Sequence, residues 1–144
     1  MKGDKMEQNV NIELQTTIED NGMKEITTIK EYGKLYTREH MHLVMYEEKT
    51  DDQGKVKNMI SIQPDKVSIR RSGAVKMNQI FREGERSENI FHHPYGRIHM
   101  DTYTKSIEYH PVDETSDGKL VINYTVNLNG QPSQKHFLVL KITS

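Results

Sequence analysis

The chain has no cysteine and no tryptophan, and only four prolines in 144 residues. Without cysteine there is no disulfide framework, no thiolate nucleophile and no cysteine-based zinc site. No apolar run approaches the length of a membrane span, which excludes a membrane partner. The opening MKGDKMEQN lacks the apolar core of a secretory signal, so a cytoplasmic protein is expected. An excess of charge of one sign is also missing. Twenty Lys plus Arg stand against twenty-one Asp plus Glu, for a formal net charge of −1. A dedicated nucleic-acid binder is usually basic overall or along one stripe, so nucleic acid is not favoured as a partner. Hydrophobic residues make up 33% of the chain, which is low for a globular protein. A fully buried parallel sheet needs continuous apolar runs, and none is present. An antiparallel sheet needs only every second residue to be apolar.

Alternation is what the sequence does have. Val10, Ile12, Leu14, Thr16 and Ile18 recur at period two and stop at Asp20-Asn21-Gly22, where Asn-Gly suits a tight hairpin turn. Lys24 to Tyr36 returns as a second strand, with Ile26, Thr28, Ile29, Tyr32 and Tyr36 as candidates for burial and Gly33 as a bulge or sharp bend. The stretch 41–46 alternates on both faces, leaving its inward side open. Val56 to Ile62, Val67 to Arg71, Val75 to Phe81, Ser87 to His92, Ile98 to Ile107, Leu120 to Leu128 and Phe137 to Ile142 follow. They are separated by Asp51-Asp52-Gln53-Gly54, Gln63-Pro64-Asp65-Lys66, Ser72-Gly73, Glu83-Gly84-Glu85, His93-Pro94-Tyr95-Gly96, Ser116-Asp117-Gly118 and Asn129-Gly130. Short turns join sequential antiparallel neighbours, and closure removes their unpaired edges. The expectation is an all-β fold with little helix: one antiparallel up-and-down barrel of about eight to ten strands. It spans residues 9–144 behind a flexible tail of residues 1–8; a two-sheet sandwich is the alternative.

The stretch Arg70-Arg71-Ser72-Gly73-Ala74-Val75-Lys76-Met77-Asn78-Gln79, followed by Thr102-Tyr103-Thr104-Lys105-Ser106-Ile107, resembles the YwiB-like family of uncharacterised Bacillus-type proteins. Ile18-Glu19-Asp20, Tyr46-Glu47-Glu48 and the strand after Asp117-Gly118 resemble it too, so the likeness runs over nearly the whole chain. It implies a calycin-type barrel similar to lipocalins. It implies no activity, and it carries over no catalytic residue.

Strand parity supplies the candidate site. If Val67 and Ile69 point inward, so does Arg71. By the same rule Gln79 shares a face with Val75, Met77 and Phe81, and Thr102 and Thr104 share one with Ile98 and Met100. Arg71, Gln79, Thr102 and Thr104 thus project towards one lumen, with Phe81, Met100 and Tyr124 in its apolar wall. A buried guanidinium needs a partner. That partner is either a ligand carboxylate or phosphate, or an internal carboxylate such as Glu47 or Asp101.

No catalytic residue, metal ligand set or cofactor is assigned. His40 and His42 fall two apart on one expected strand face, but no motif makes the histidines converge. Glu47 and Glu48 face opposite sides of a strand and cannot act as a pair. Lys76, Arg82, Arg86, Arg97 and Lys105, with Tyr95 and Tyr103, form a candidate basic surface, diluted by Glu83, Glu85, Glu88 and Asp101. Two functional readings remain. One is a non-enzymatic binder of a small, partly apolar, anionic ligand in the lumen. The other is a side-chain-filled barrel that binds a protein partner or itself as a homodimer, using an apolar outer patch drawn from Val121, Thr125, Leu138, Leu140 and Ile142. An enzyme has no sequence feature in its favour.

Overall fold

A computed structural model describes residues 6–50, 54–113 and 116–144. The strands are β1 (Met6–Asp20), β2 (Met23–Arg38), β3 (Met41–Thr50), β4 (Gly54–Gln63), β5 (Lys66–Gly73), β6 (Met77–Phe81), β7 (Arg86–His93), β8 (Gly96–His110), β9 (Gly118–Leu128) and β10 (Gln134–Thr143). No helix occurs among the described residues, so none there is long and apolar enough to cross a membrane.

The strands form one antiparallel sheet in the order β6-β5-β4-β3-β2-β1-β10-β9-β8-β7. Consecutive strands pair with each other except β6 and β7, which are the two edges, and β10 returns to pair with β1 over Asn11↔Thr143 to Glu19↔Lys135. The sheet therefore curls into a nearly closed barrel whose seam lies between β6 and β7. Only local links cross that seam. Lys76 and His92 form an isolated bridge, with N–H···O distances of 3.0 and 2.8 Å. Ser87 Oγ donates to the Ile80 carbonyl at 2.6 Å. Both Asn-Gly turns form as their chemistry requires: Asn21 and Gly22 have φ of 52° and 78°, and Asn129 and Gly130 have 50° and 76°.

Burial fixes the inward faces. His42, Val44, Tyr46 and Glu48 are the inward set of β3, paired with inward residues of β4. Leu138, Leu140 and Ile142 all point inward from β10, while Val121, Thr125 and Val139 face outward beside the half-exposed Phe137. The interior is apolar and tightly filled: Leu35, Val44, Ile60, Val67, Phe81, Leu120, Ile122, Leu140 and Ile142 are completely inaccessible.

Several local expectations change. In β2, Ile26 and Tyr32 are exposed (60% and 85%) and Thr28 is exposed too, whereas Leu35 is the fully buried side chain. The first half of β2 pairs with β1 alone. Its ladder to β3 begins only at Gly33↔Tyr46, and Ile26, Thr28 and Tyr32 share the outward face, opposite Ile29, which packs against the core. Gly33 is not a bulge, since the β1–β2 register runs through it unbroken. It is instead a point of close approach, where an added Cβ would overlap Ile12 Cδ1 and the Met45 carbonyl. The chain turns at Ala74–Val75, because β5 continues through Ser72 and Gly73, which pair with Lys57 and Val56. β1 begins at Met6, so Met6–Gln8 are paired strand opposite Thr37–Leu35 and not tail. Residues 1–5 and the Asp51-Asp52-Gln53 part of the third turn lie outside the described residues.

Candidate functional site

The β5 parity is unbroken from Val67 to Arg71, which pair with Ile62 and Asn58, so Arg71 shares the inward face of Val67 and Ile69. It lies at the end of the barrel where β3 turns into β4. There its Nη2 stands 3.5 Å from Glu48 Oε1, with the two side chains only 27% and 17% exposed. The same carboxylate oxygen accepts from Asn58 Nδ2 at 2.9 Å. The partner is thus neither Glu47, which faces outward and lies 3.9 Å from Lys55, nor Asp101, which pairs with Arg86 on the outer face. Tyr46 completes the cluster. Burial pushes its phenol strongly up, the Glu48 charge adds to this, and Arg71 opposes it.

The remaining lumen candidates mostly satisfy one another. Gln79 Nε2 donates to Thr102 Oγ1 at 2.9 Å inside the core, and both residues are buried. Thr104 is also buried, and its Oγ1 has no partner. Phe81 packs edge-on against Tyr124 at 4.8 Å, and Met100 is buried in the same apolar cluster. Tyr124 also lies against His136, with ring centroids 5.0 Å apart. The structure therefore gathers these candidates into one interior and places Arg71 at its polar end. The interior is occupied by their own packing.

Burial pushes His136 down to about 4. Between its ordinary 6.5 and that value, the unfolded chain takes up a proton here that the folded chain resists, so stability falls as pH falls through this window. His42, also lowered by burial, acts in the same direction. The thermal midpoint should drop from pH 7 to pH 4.5, and His136→Gln should flatten part of that slope. An unchanged slope in the variant would remove His136 as its source.

The opposite end of the barrel carries a feature that parity alone missed. A β-bulge between Thr104 and Ser106 turns Ser106 out of the face of Thr102 and Thr104 and brings Ile107 and Tyr109 inward. Tyr109 Oη then hydrogen-bonds His42 Nδ1 at 2.7 Å across the mouth. These two residues help line a cleft of about 720 Å³ with Ile62, Lys66, Arg82 and Glu85. Burial raises Tyr109 to about 12 and lowers His42. Both groups are therefore neutral near pH 7, and their hydrogen bond clasps the mouth.

Among the described residues no three His, Asp or Glu side chains converge as a metal site. His40 lies in the turn before β3, 3.6 Å from Glu39 and largely in solvent, so it does not share a strand face with His42. The basic surface expected from the sequence is divided. Arg86 is held by Asp101, Arg82 lines the mouth, and Lys76 lies at the seam.

These features define an all-β protein of ten antiparallel strands, nearly closed into a barrel around a packed interior. The chain belongs to the family described as a domain of unknown function, DUF1934, which matches residues 12–140. It is 31% identical over 137 residues to the uncharacterized β-barrel protein YwiB of Bacillus subtilis (strain 168), spanning 94% of this chain and 94% of that protein. The crystal structure of the ywiB protein from Bacillus subtilis matches with a TM-score of 0.83 and 28% identity, over 96% of this chain and 92% of that one. The family and the antiparallel β-barrel expected from the sequence are both confirmed.

Proposed function

We propose that this chain is a non-enzymatic interaction protein, a solid barrel that binds through the free edge of β2, and that its partner there is a second copy of itself. The observation that carries this reading is the one-sided pairing of Met23–Tyr32. Those residues form a ladder with β1, while the ladder to β3 starts only at Gly33. An open strand edge presents unpaired main-chain groups and is a template for strand addition. Met23 and Ile26 stand 77% and 60% exposed on it. The packed interior supports this reading over a ligand held in the lumen.

The edge is self-complementary in one register. Two copies pairing antiparallel about an axis normal to the sheet must match residues of the same facing. Centred on Ile26, Ile26 meets its own copy, Met23 meets Ile29, Lys24 meets Thr28, and Glu25 meets Thr27. Centring on Thr27 sets Lys24 against Lys30, and centring on Thr28 sets Glu25 against Glu31, each a like-charge pair that destabilises. The Ile26 register also brings the partner's Asn21-Gly22 turn only as far as Lys30–Glu31, short of the fork at Gly33. The expected result is a concentration-dependent dimer in sedimentation or light scattering, converted to monomer by Ile26→Lys with the fold intact. A wild-type chain that stays monomeric at high micromolar concentration would refute the proposal, as would a dimer indifferent to Ile26→Lys.

A further inference from the structure

We infer that the β6–β7 seam binds water as part of the barrel wall: water behind β6 bridges Asn89 to the Gln79–Thr102 pair and takes the place of the missing ladder. The seam is where the barrel fails to close. β6 has five residues and is laddered to β5 alone. Across the gap, Lys76 and His92 form an isolated antiparallel bridge and exchange main-chain hydrogen bonds in both directions. In an antiparallel ladder the next pairs to do so would be Asn78–Ile90 and Ile80–Glu88. Neither pair forms those bonds; the Ile80 carbonyl instead accepts from Ser87 Oγ at 2.6 Å. The other main-chain groups along these edges still require partners.

The inner lining of this gap is polar where the rest of the core is apolar. Among the described residues the buried polar side chains are Asn58, Gln79, Thr102 and Thr104. Asn58 lies on β4, where Glu48 accepts from it; the others lie on β6 and β8, behind the seam. Continuing the register of the Lys76–His92 bridge sets Gln79 opposite Asn89 on the inward face. Gln79 Nε2 nevertheless reaches past Asn89 to Thr102 Oγ1, at 2.9 Å. Asn89 Oδ1 is left inaccessible and without a partner, and Asn89 Nδ2 reaches only Met100 Sδ, at 3.9 Å. Turning the amide over would move the orphan to its nitrogen, since a thioether is a weak partner. Thr104 Oγ1, the next inward hydroxyl along β8, is also buried and unpartnered.

An orphaned buried polar atom is costly. Here such atoms lie beside a buried amide–hydroxyl pair and the unpaired main chain of a broken ladder. That is the setting in which ordered water is found, each molecule making typically about three hydrogen bonds to buried polar groups. The chemistry of the lining selects water over an ion. Gln79, Ser87, Asn89, Thr102 and Thr104 are all uncharged, so an ion there would be buried without a counter-charge. The water lies in the wall and not in a lumen, because Phe81 and Met100 close the apolar core beside it. Its route to bulk solvent is the seam itself, so it exchanges without unfolding of the barrel. The site is distinct from the β2 edge, so either proposal can fail alone.

The test is water–protein cross-relaxation, read by nuclear magnetic resonance on the full chain. Signals from long-lived water are expected at the methyl groups of Met100, Thr102 and Thr104, whose hydrogens do not exchange chemically with solvent. The methyl groups of Ile122 and Leu140, in the apolar core, should give none. Asn89→Leu should abolish the Met100 signal. Thr104→Val should lower the thermal midpoint, because it strips bound water of a partner. Were Thr104 Oγ1 not hydrated, the same change would remove an unsatisfied buried hydroxyl at nearly constant shape and raise the midpoint. Ile26→Lys should keep every signal, so a failed dimer leaves the seam intact. A raised midpoint in Thr104→Val, or wild-type protein without water signals at Met100 and Thr102, would overturn the inference.

Discussion

Phe81→Ala is expected to destabilise the barrel by about 3–5 kcal/mol, a large part of the roughly 5–15 kcal/mol that holds a typical domain folded. Phe81 is completely inaccessible. It pairs across the sheet with Val67 and packs edge-on against Tyr124 with the rings 64° apart. Removing the ring leaves a void against Val67 and Tyr124, whose strands β5 and β9 are laddered on both sides and cannot move in to close it. If the interior were instead a hydrated vestibule, the ring would be half-solvated and its loss would cost about 1 kcal/mol, as for a surface change. Urea unfolding of the two proteins measures the difference. A shift of the smaller size would contradict the packed interior and restore the lumen as a binding cavity.

Gly33→Val is expected to cost about 3 kcal/mol, the upper end of overpacking in a tight core. Gly33 sits where β2 first acquires β3 as a second neighbour, between Val10 and Tyr46. Its φ lies outside the left-handed region that favours glycine, so the requirement is for space. A Cβ would overlap Ile12 Cδ1 and the Met45 carbonyl and stand 3.1 Å from Tyr46 Cβ. The isoleucine can rotate away; the carbonyl belongs to a laddered strand and cannot. Denaturant midpoints and amide exchange at Val10 and Tyr46 should both report the loss, and Gly33→Ala should lie between the variant and the wild type. A variant within about 0.5 kcal/mol of the wild type, as for an unconstrained surface position, would show that the strands part here without cost.

The two glycine-bearing elements of the first hairpin show how legibility divides. Asn21-Gly22 reads as a turn because its backbone preference is local. Gly33 reads only as an anomaly, because what it avoids belongs to β1 and β3. Ile26 was misplaced for a related reason. Hydrophobicity at a strand position signals a core only if that face is covered, and Ile26 lies on the outward face of β2, opposite Ile29, which packs against the core. The ion-pair partner of Arg71 illustrates a further limit. Parity separates Glu47 from Glu48, but choosing between them needs the inward face of β3, where alternation is apolar on both sides. The His42–Tyr109 clasp spans 67 residues and depends on a bulge that leaves no mark in a run of Thr, Lys and Ser.

By itself the sequence determined the strands, most of their turns, the antiparallel meander and the family, because period-two alternation and turn chemistry are written within a few residues of one another. The tertiary structure alone decided that β1 and β10 meet, that the seam falls between β6 and β7, and that half of β2 has a free edge. It also decided that the interior is filled by its own side chains. The physical reason is that closure, packing and charge pairing are relations between segments far apart in the chain, whose energies exist only once the sheet has curled.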